Sequence, residues 1–284
     1  MAALRQRGAL IAVLLGFFIV MLDATIVNVA LADIGTDLDA PVESLQWVVD
    51  SYTLVFAAFL LTSGAACARL GARAVYLFGL LLFGVLSAVC ALAPTGGALV
   101  AARTAQGAGA SAVVPGSLAL LAVIYTEPDA RSRAIGLWGG AGVIAAAVGP
   151  VLGGVLVSWI GWRAVFWVNI PIIAVACRLT LRSLPAPAAQ HGRAIDPLGQ
   201  LLSVLGLAAL TYGMIAGGES GLVSASAAAI CCGAAVLAGL VVVEHHVDDP
   251  MLPMPLFREA RFTVSALVGL ALNISFFGQL FVLS

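Results

Sequence analysis

The chain has 284 residues, 62% of them hydrophobic and only 10% charged, with a formal net charge of −1. A water-soluble domain needs a surface that is roughly a quarter to a third Lys, Arg, Glu and Asp, so this composition excludes an ordinary soluble enzyme and leaves most of the surface to face lipid. The near-zero net charge offers no basic field for nucleic acid and no acidic tail for a basic partner.

A helix that crosses a bilayer needs about 20 largely apolar residues. By that ruler the sequence offers nine spans, near 9–32, 46–67, 75–94, 98–121, 134–158, 164–181, 197–217, 222–243 and 262–284. In the first, Arg5 and Arg7 precede an apolar run ending in Ala30-Leu31-Ala32, which is also the layout of a cleavable signal peptide. The run is too long for that, Asp23 interrupts it, and many spans follow, so it reads as a permanent helix.

An ionisable side chain at bilayer depth costs roughly 2.5 to 3.5 kcal/mol on insertion scales, which makes each one a functional candidate. Asp23 lies about ten residues from the outer end of the first span, roughly 15 Å deep, and Arg103 about five residues into the fourth, roughly 8 Å deep. Both sit in the outer half, and a long Arg side chain spans the difference. A carboxylate beside a guanidinium keeps its charge, whereas one isolated in an apolar layer takes a proton. Moving such a pair together or apart is therefore one way to couple a proton to a conformation. The plainer alternatives are a static ion pair or an arginine reaching for the interface. Asp50, early in the second span, reads as an interfacial residue.

The fifth span contains Gly136, Gly139, Gly140, Gly142, Gly149, Pro150, Gly153 and Gly154, which mark it as a packing and bending element. The stretch from Leu181 to Pro197 is polar and Pro-bearing, and it reads as a linker after a six-helix unit. Orientation follows from the arginines. With Arg5 and Arg7 inside, the alternate loops carry Arg69 and Arg73, then Arg131 and Arg133, then Arg178, Arg182 and Arg193, then Arg258 and Arg261. The opposite loops hold only Arg163 and collect the acids Asp33, Asp37, Asp39, Glu43 and Glu219, which places the N-terminus in the cytoplasm.

The five cysteines, Cys67, Cys90, Cys177, Cys231 and Cys232, lie in or at apolar runs with no CxxC and no interleaved His. They read as small buried filler, not as a zinc site or a disulfide framework. His191, His245 and His246 fall among polar loop residues. No GxSxG, HExxH, Walker-type or GxGxxG arrangement stands in a loop able to use it, so no enzyme, cofactor or metal site is expected. All 13 basic residues are Arg, a hint of a GC-rich bacterial genome.

Several stretches together resemble the fourteen-helix branch of the drug:proton antiporters within the major facilitator superfamily. Leu22 to Ile34 reads LDATIVNVALADI, similar to that branch's first-helix signature, with Asn28 inside it and Ala32 where a Pro is usual. Arg103, Gln106, Gly107 and Gly109 match RxxQGxG, whose arginine the family associates with proton transfer. Gly149, Pro150, Gly153 and Gly154 match the GPxxGG core of the antiporter motif, and Trp162 to Pro171 reads WRAVFWVNIP, similar to the approach to the sixth helix. Between helices two and three, Gly64, Arg69, Gly71 and Arg73 align with the family's gating loop, but Ala68 stands at its acidic position and Ala72 at a basic one.

The expected fold is thus an all-α polytopic membrane protein, a major facilitator helix bundle with about nine transmembrane helices present. The expected organisation is a six-helix half over 1–181, a cytoplasmic linker 182–196, two inserted helices 197–243, a cytoplasmic loop 244–261 and, in 262–284, the first helix of a second half. The chain stops at Ser284 directly after an apolar run, which reads as the N-terminal portion of a longer transporter. The resemblance implies proton-coupled efflux of small hydrophobic or cationic compounds across the bacterial cytoplasmic membrane by alternating access. Its partners are then the lipid bilayer, protons and substrate, with Asp23 and Arg103 in the coupling pathway. The rival reading is a non-transporting, truncated or degenerate membrane protein acting as a helix-bundle partner.

Overall fold

A computed structural model describes residues 2–184, 197–220 and 224–245, with isolated positions between 259 and 271. Most of the linker, the loop after 245 and most of the ninth span lie outside the described residues, as do His191, His246, Arg193, Arg258 and Arg261. The described chain folds as helices α1 (Ala2–Asp37), α2 (Val42–Leu70), α3 (Ala72–Ala91), α4 (Gly96–Ile124), α5 (Pro128–Trp159), α6 (Ala164–Trp167), α7 (Asn169–Ser183), α8 (Pro197–Ser220) and α9 (Ser224–Glu244). Among the described residues, eight helical segments are long and apolar enough to cross a membrane, α6 and α7 together making one of them.

Where helices begin and end follows local chemistry. Thr95 caps α4, its hydroxyl accepting from the Ala98 N–H at 3.2 Å. Glu127 caps α5, its carboxylate accepting from Asp129 N at 3.2 Å and Ala130 N at 2.7 Å, with Pro128 at the first position, where its missing N–H is harmless. Only Gly71 separates α2 from α3, and its φ of 85° is the left-handed region a side chain would oppose. The sixth span breaks at Val168 because Pro171 has no N–H to offer the Trp167 carbonyl, one turn back in the helical ladder.

Helix α4 packs against α2 and α3, α1 lies against α5 and α7, and the α8–α9 hairpin leans on α2. Trp47 of α2 stacks on Tyr212 of α8, with ring centroids 6.2 Å apart. Two large apolar clusters fill most of the bundle, beside a small third one of Cys67, Val75 and Ala112. One contains Leu22, Tyr52, Phe83, Ala110 and Ile173, and the other Ile26, Val48, Cys90, Ala102 and Phe166. Each of these pairs sits on one run of chain, so five membrane segments switch from one cluster to the other at the same level. The buried polar side chains Asp23, Ser87, Arg103, Gln106 and Asn169 occupy that level.

The cysteines divide differently from the sequence expectation. Cys67 and Cys90 are buried and Cys177 is half-buried, but Cys231 and Cys232 are exposed. Helix α9 packs chiefly on α8.

Candidate functional site

Asp23 on α1 and Arg103 on α4 meet, with Nη1 donating to Oδ2 at 2.5 Å and side chains 0% and 1% exposed. Taking two charges out of water costs several kcal/mol per ion unless other hydrogen bonds complete their shells. Here they do. The Arg103 Nε donates to the Val48 carbonyl of α2 at 3.1 Å, and Nη1 also reaches Gln106 Oε1 at 2.8 Å. The Tyr52 ring lies 4.1 Å from the guanidinium carbon and covers its face. On the acid, Oδ1 accepts from Asn169 Nδ2 at 2.7 Å and from Gln106 Nε2 at 3.3 Å.

The hydrogen bonds continue outward from the ion pair. Asn169 Nδ2 also donates to Ser87 Oγ at 2.8 Å, and Ser87 in turn donates to the Phe166 carbonyl at 2.9 Å. The Cys90 thiol donates to Gln106 Oε1 at 3.5 Å. Two buried atoms of this network have no hydrogen-bond partner, Tyr52 OH and Asn169 Oδ1.

The glycines next to Arg103 set how deeply it sits. A Cβ on Gly107 would lie 2.5 Å from the Tyr52 carbonyl oxygen of α2, and one on Gly109 would lie 2.8 Å from the Phe83 nitrogen of α3. Only hydrogen fits at either position, which lets α4 approach both neighbours and brings Arg103 within reach of the Val48 carbonyl. The fifth-helix glycines act likewise against α1. A Cβ on Gly149 would collide with Thr25 Oγ1, and one on Gly153 would stand 3.0 Å from Ile26 Cγ1, whereas Gly154 meets nothing within 4 Å. Pro150 lies inside the unbroken α5.

The remaining sequence candidates lie elsewhere. Asn28, on α1, is exposed and outside the buried network. Arg69 stands in the last turn of α2, and a Cβ on Gly64 would find open space. Arg73 Nη2 donates to the Leu181 carbonyl at 3.3 Å, joining the start of α3 to the end of α7. Asp50 is half-exposed on α2. At the far end of α1, Asp37 Oδ2 accepts from Arg163 Nη1 at 2.6 Å and from Trp162 Nε1 at 2.9 Å, a half-exposed pair the sequence reading did not join. The sequence reading also missed Ser87, Tyr52 and Asn169 as members of the network. Asn169 had a signal, a carboxamide within an apolar span, while a lone serine such as Ser87 has none.

The sequence matches the family model described as Major Facilitator Superfamily over residues 13–283. The chain belongs to the Major Facilitator Superfamily. It is 40% identical over 271 residues to the methylenomycin A resistance protein of Streptomyces coelicolor, covering 94% of this chain and 56% of that protein. It is also 40% identical over 261 residues to the multidrug resistance protein Stp of Mycobacterium tuberculosis, covering 92% of this chain and 49% of that one. The chain thus spans about half the length of these curated relatives. Among solved structures, a bacterial homologue of the human lysosomal transporter Spinster, in an inward-facing unoccupied conformation, superposes with a TM-score of 0.56 at 21% identity, over 84% of this chain and 61% of that one. The POT family transporter PepTSo superposes with a TM-score of 0.55 at 14% identity, over 83% of this chain and 52% of that one. Both share the fold.

Proposed function

We propose that this chain is the N-terminal part of a proton-driven exporter of hydrophobic or cationic compounds, in which Asp23 and Arg103 couple proton movement to the inward–outward switch. The observation that carries the proposal is the buried Asp23–Arg103 pair, held where five membrane segments change apolar clusters. Relatives at 36 to 40% identity that are named for drug resistance and efflux support the export reading over that of a helix-bundle partner.

The chemistry follows from the pairing. While Arg103 holds Asp23, the acid stays ionised and the site is neutral overall. A shift of α4 against α1 that withdraws the guanidinium leaves a carboxylate in an apolar layer, and that carboxylate takes a proton. Return of Arg103 expels the proton. Alternating access in this superfamily comes from rocking of two helical halves around a central site, and Asp23 and Arg103 sit on two different helices of the first half. The close-packed glycines of α4 and α5 carry such a motion as rigid-body sliding. By the arginine distribution, α1 starts in the cytoplasm and the network lies nearer the outer face. The protein acts here as a transporter, with no catalytic role for any residue.

Dye efflux from cells expressing the complete reading frame tests the proposal. Asp23→Asn keeps the shape and the hydrogen-bonding carbonyl but not the titrating proton. It should abolish efflux driven by a pH gradient while leaving dye binding. An Asp23→Asn protein that exports dye with the parent's pH dependence removes Asp23 from the coupling.

A further inference from the structure

Asp23 accepts hydrogen bonds from Arg103, Gln106 and Asn169, all of them donors. The arrangement suits a carboxylate and offers the O–H of a protonated acid no acceptor. An unpaired O–H in a dry interior is expensive. Gln106 cannot turn to help, because its Oε1 already takes Arg103 Nη1 at 2.8 Å and the Cys90 thiol at 3.5 Å. Asn169 can, since its Oδ1 is buried and bonds to nothing.

The nitrogen and oxygen of a carboxamide are nearly the same size, so a half-turn of the amide exchanges them without displacing a neighbour. After that turn Oδ1 stands where Nδ2 stood, 2.7 Å from Asp23 Oδ1 and 2.8 Å from Ser87 Oγ. It then accepts the Asp23 O–H. The Ser87 hydroxyl, which now donates to the Phe166 carbonyl, rotates to donate to Asn169 Oδ1 instead. The amide has one end without a partner in either position, the carbonyl oxygen before the turn and the NH2 after it. The proton rests on Asp23, Ser87 keeps its own, and the Phe166 carbonyl, just ahead of the α6–α7 break, loses its cap.

We propose that Asn169 is a two-position amide that accommodates both protonation states of Asp23, and that Ser87 passes its turn to the break between α6 and α7. Asn169 is in this sense a positioning residue, and the proposal rests on Asp23 being the coupling acid. The titratable and charged groups around the acid are Arg103 from α4, Tyr52 from α2 and Cys90 from α3. The charged residues of α5, namely Asp129, Arg131 and Arg133, all stand in its first two turns. Arg163 beside α6 is held by Asp37, and Arg178 and Arg182 lie toward the far end of α7.

Infrared difference spectra of the chain in lipid, taken across an acid titration, separate the possibilities. A carboxyl C=O band should grow in and be absent from Asp23→Asn. A side-chain amide C=O band should shift with the same midpoint and be absent from Asn169→Leu. In Asn169→Leu the midpoint of the carboxyl band should differ from the parent's, because a charge-assisted donor is lost from the ionised state and only a weaker neutral bond from the protonated one. A carboxyl band without any Asn169-dependent shift, or an unmoved midpoint in Asn169→Leu, overturns the two-position amide and leaves the role of Asp23 standing. The absence of any Asp23-dependent band overturns that role and this inference with it. Should Asn169→Leu fail to fold, Ser87→Ala serves in its place. The amide band should then take a different frequency in the acid state, and an unaltered band overturns the relay.

Discussion

Removing one charge of the central pair should hurt more than removing both. Arg103→Met keeps the unbranched stem of the side chain and deletes the guanidinium, which leaves Asp23, 0% exposed, with only the two amide donors of Gln106 and Asn169. Breaking a buried pair by deleting one partner costs about 3 to 5 kcal/mol, since the other charge is stranded. Replacing both partners by apolar groups of similar volume is often neutral, because the pair's desolvation cost and its attraction nearly cancel. Asp23→Leu with Arg103→Met should therefore recover most of the loss. Single-residue changes in the outer ring should cost far less, since interhelical hydrogen bonds in membranes average about 0.6 kcal/mol, and Ser87→Ala belongs in that class. Unfolding of purified variants in mixed micelles, arranged as a double-mutant cycle, gives the coupling energy. A double variant no more stable than Arg103→Met, or an Arg103→Met within about 1 kcal/mol of the parent, would refute the stranded-charge argument.

The two glycine positions of the fifth-helix motif should part company. Gly149→Ala drives a methyl group into Thr25 and should lower the yield of folded protein, while Gly154→Ala, with open space around it, should change stability by less than about 0.5 kcal/mol on a thermal melt. Arg163→Ala removes the half-exposed partner of Asp37 and should barely move the thermal midpoint, with the difference shrinking further in high salt. The N–H groups of Ala130 and Asp129 hold the Glu127 carboxyl below its ordinary value, with a smaller contribution in the same direction from Arg133. A carboxyl lowered on folding stabilises above its unfolded pKa and loses that contribution as pH falls through the folded one. The stability gap between parent and Glu127→Gln should accordingly be full near neutrality and close on acidification, and a gap that persists in acid would contradict this.

Much of the bundle was legible because lipid imposes one rule, that apolar runs of sufficient length become helices. The spans written from hydropathy fall on α1 to α5, on α6 with α7, and on α8 and α9, though the helices run past them, as α1 does from Ala2 to Asp37. Hydropathy marks the membrane's thickness and is silent on turns of helix that continue into water. The break at Val168 was written in the sequence as Pro171, but a helix of mixed apolar residues gives no sign of how its ladder divides. Asp23 and Arg103 were legible as charges that lipid penalises, and their spans ran in opposite directions with both residues toward one face. Ser87 and Tyr52 were not, because a serine bonds readily within its own helix and a tyrosine suits any interface. The pairing of Arg163 with Asp37 joins residues 126 positions apart, which no local pattern encodes.

A coupling acid at Asp23 must bind and release a proton as the transporter changes state. A pH-indicator dye in lightly buffered solution, with purified transporter from the complete reading frame and a transported cation added in steps, measures that directly. Proton release on substrate addition by the parent, and none by Asp23→Asn at matched occupancy, is the expected result. Equal release from both proteins would show that the proton comes from elsewhere and that the buried pair is a structural fixture.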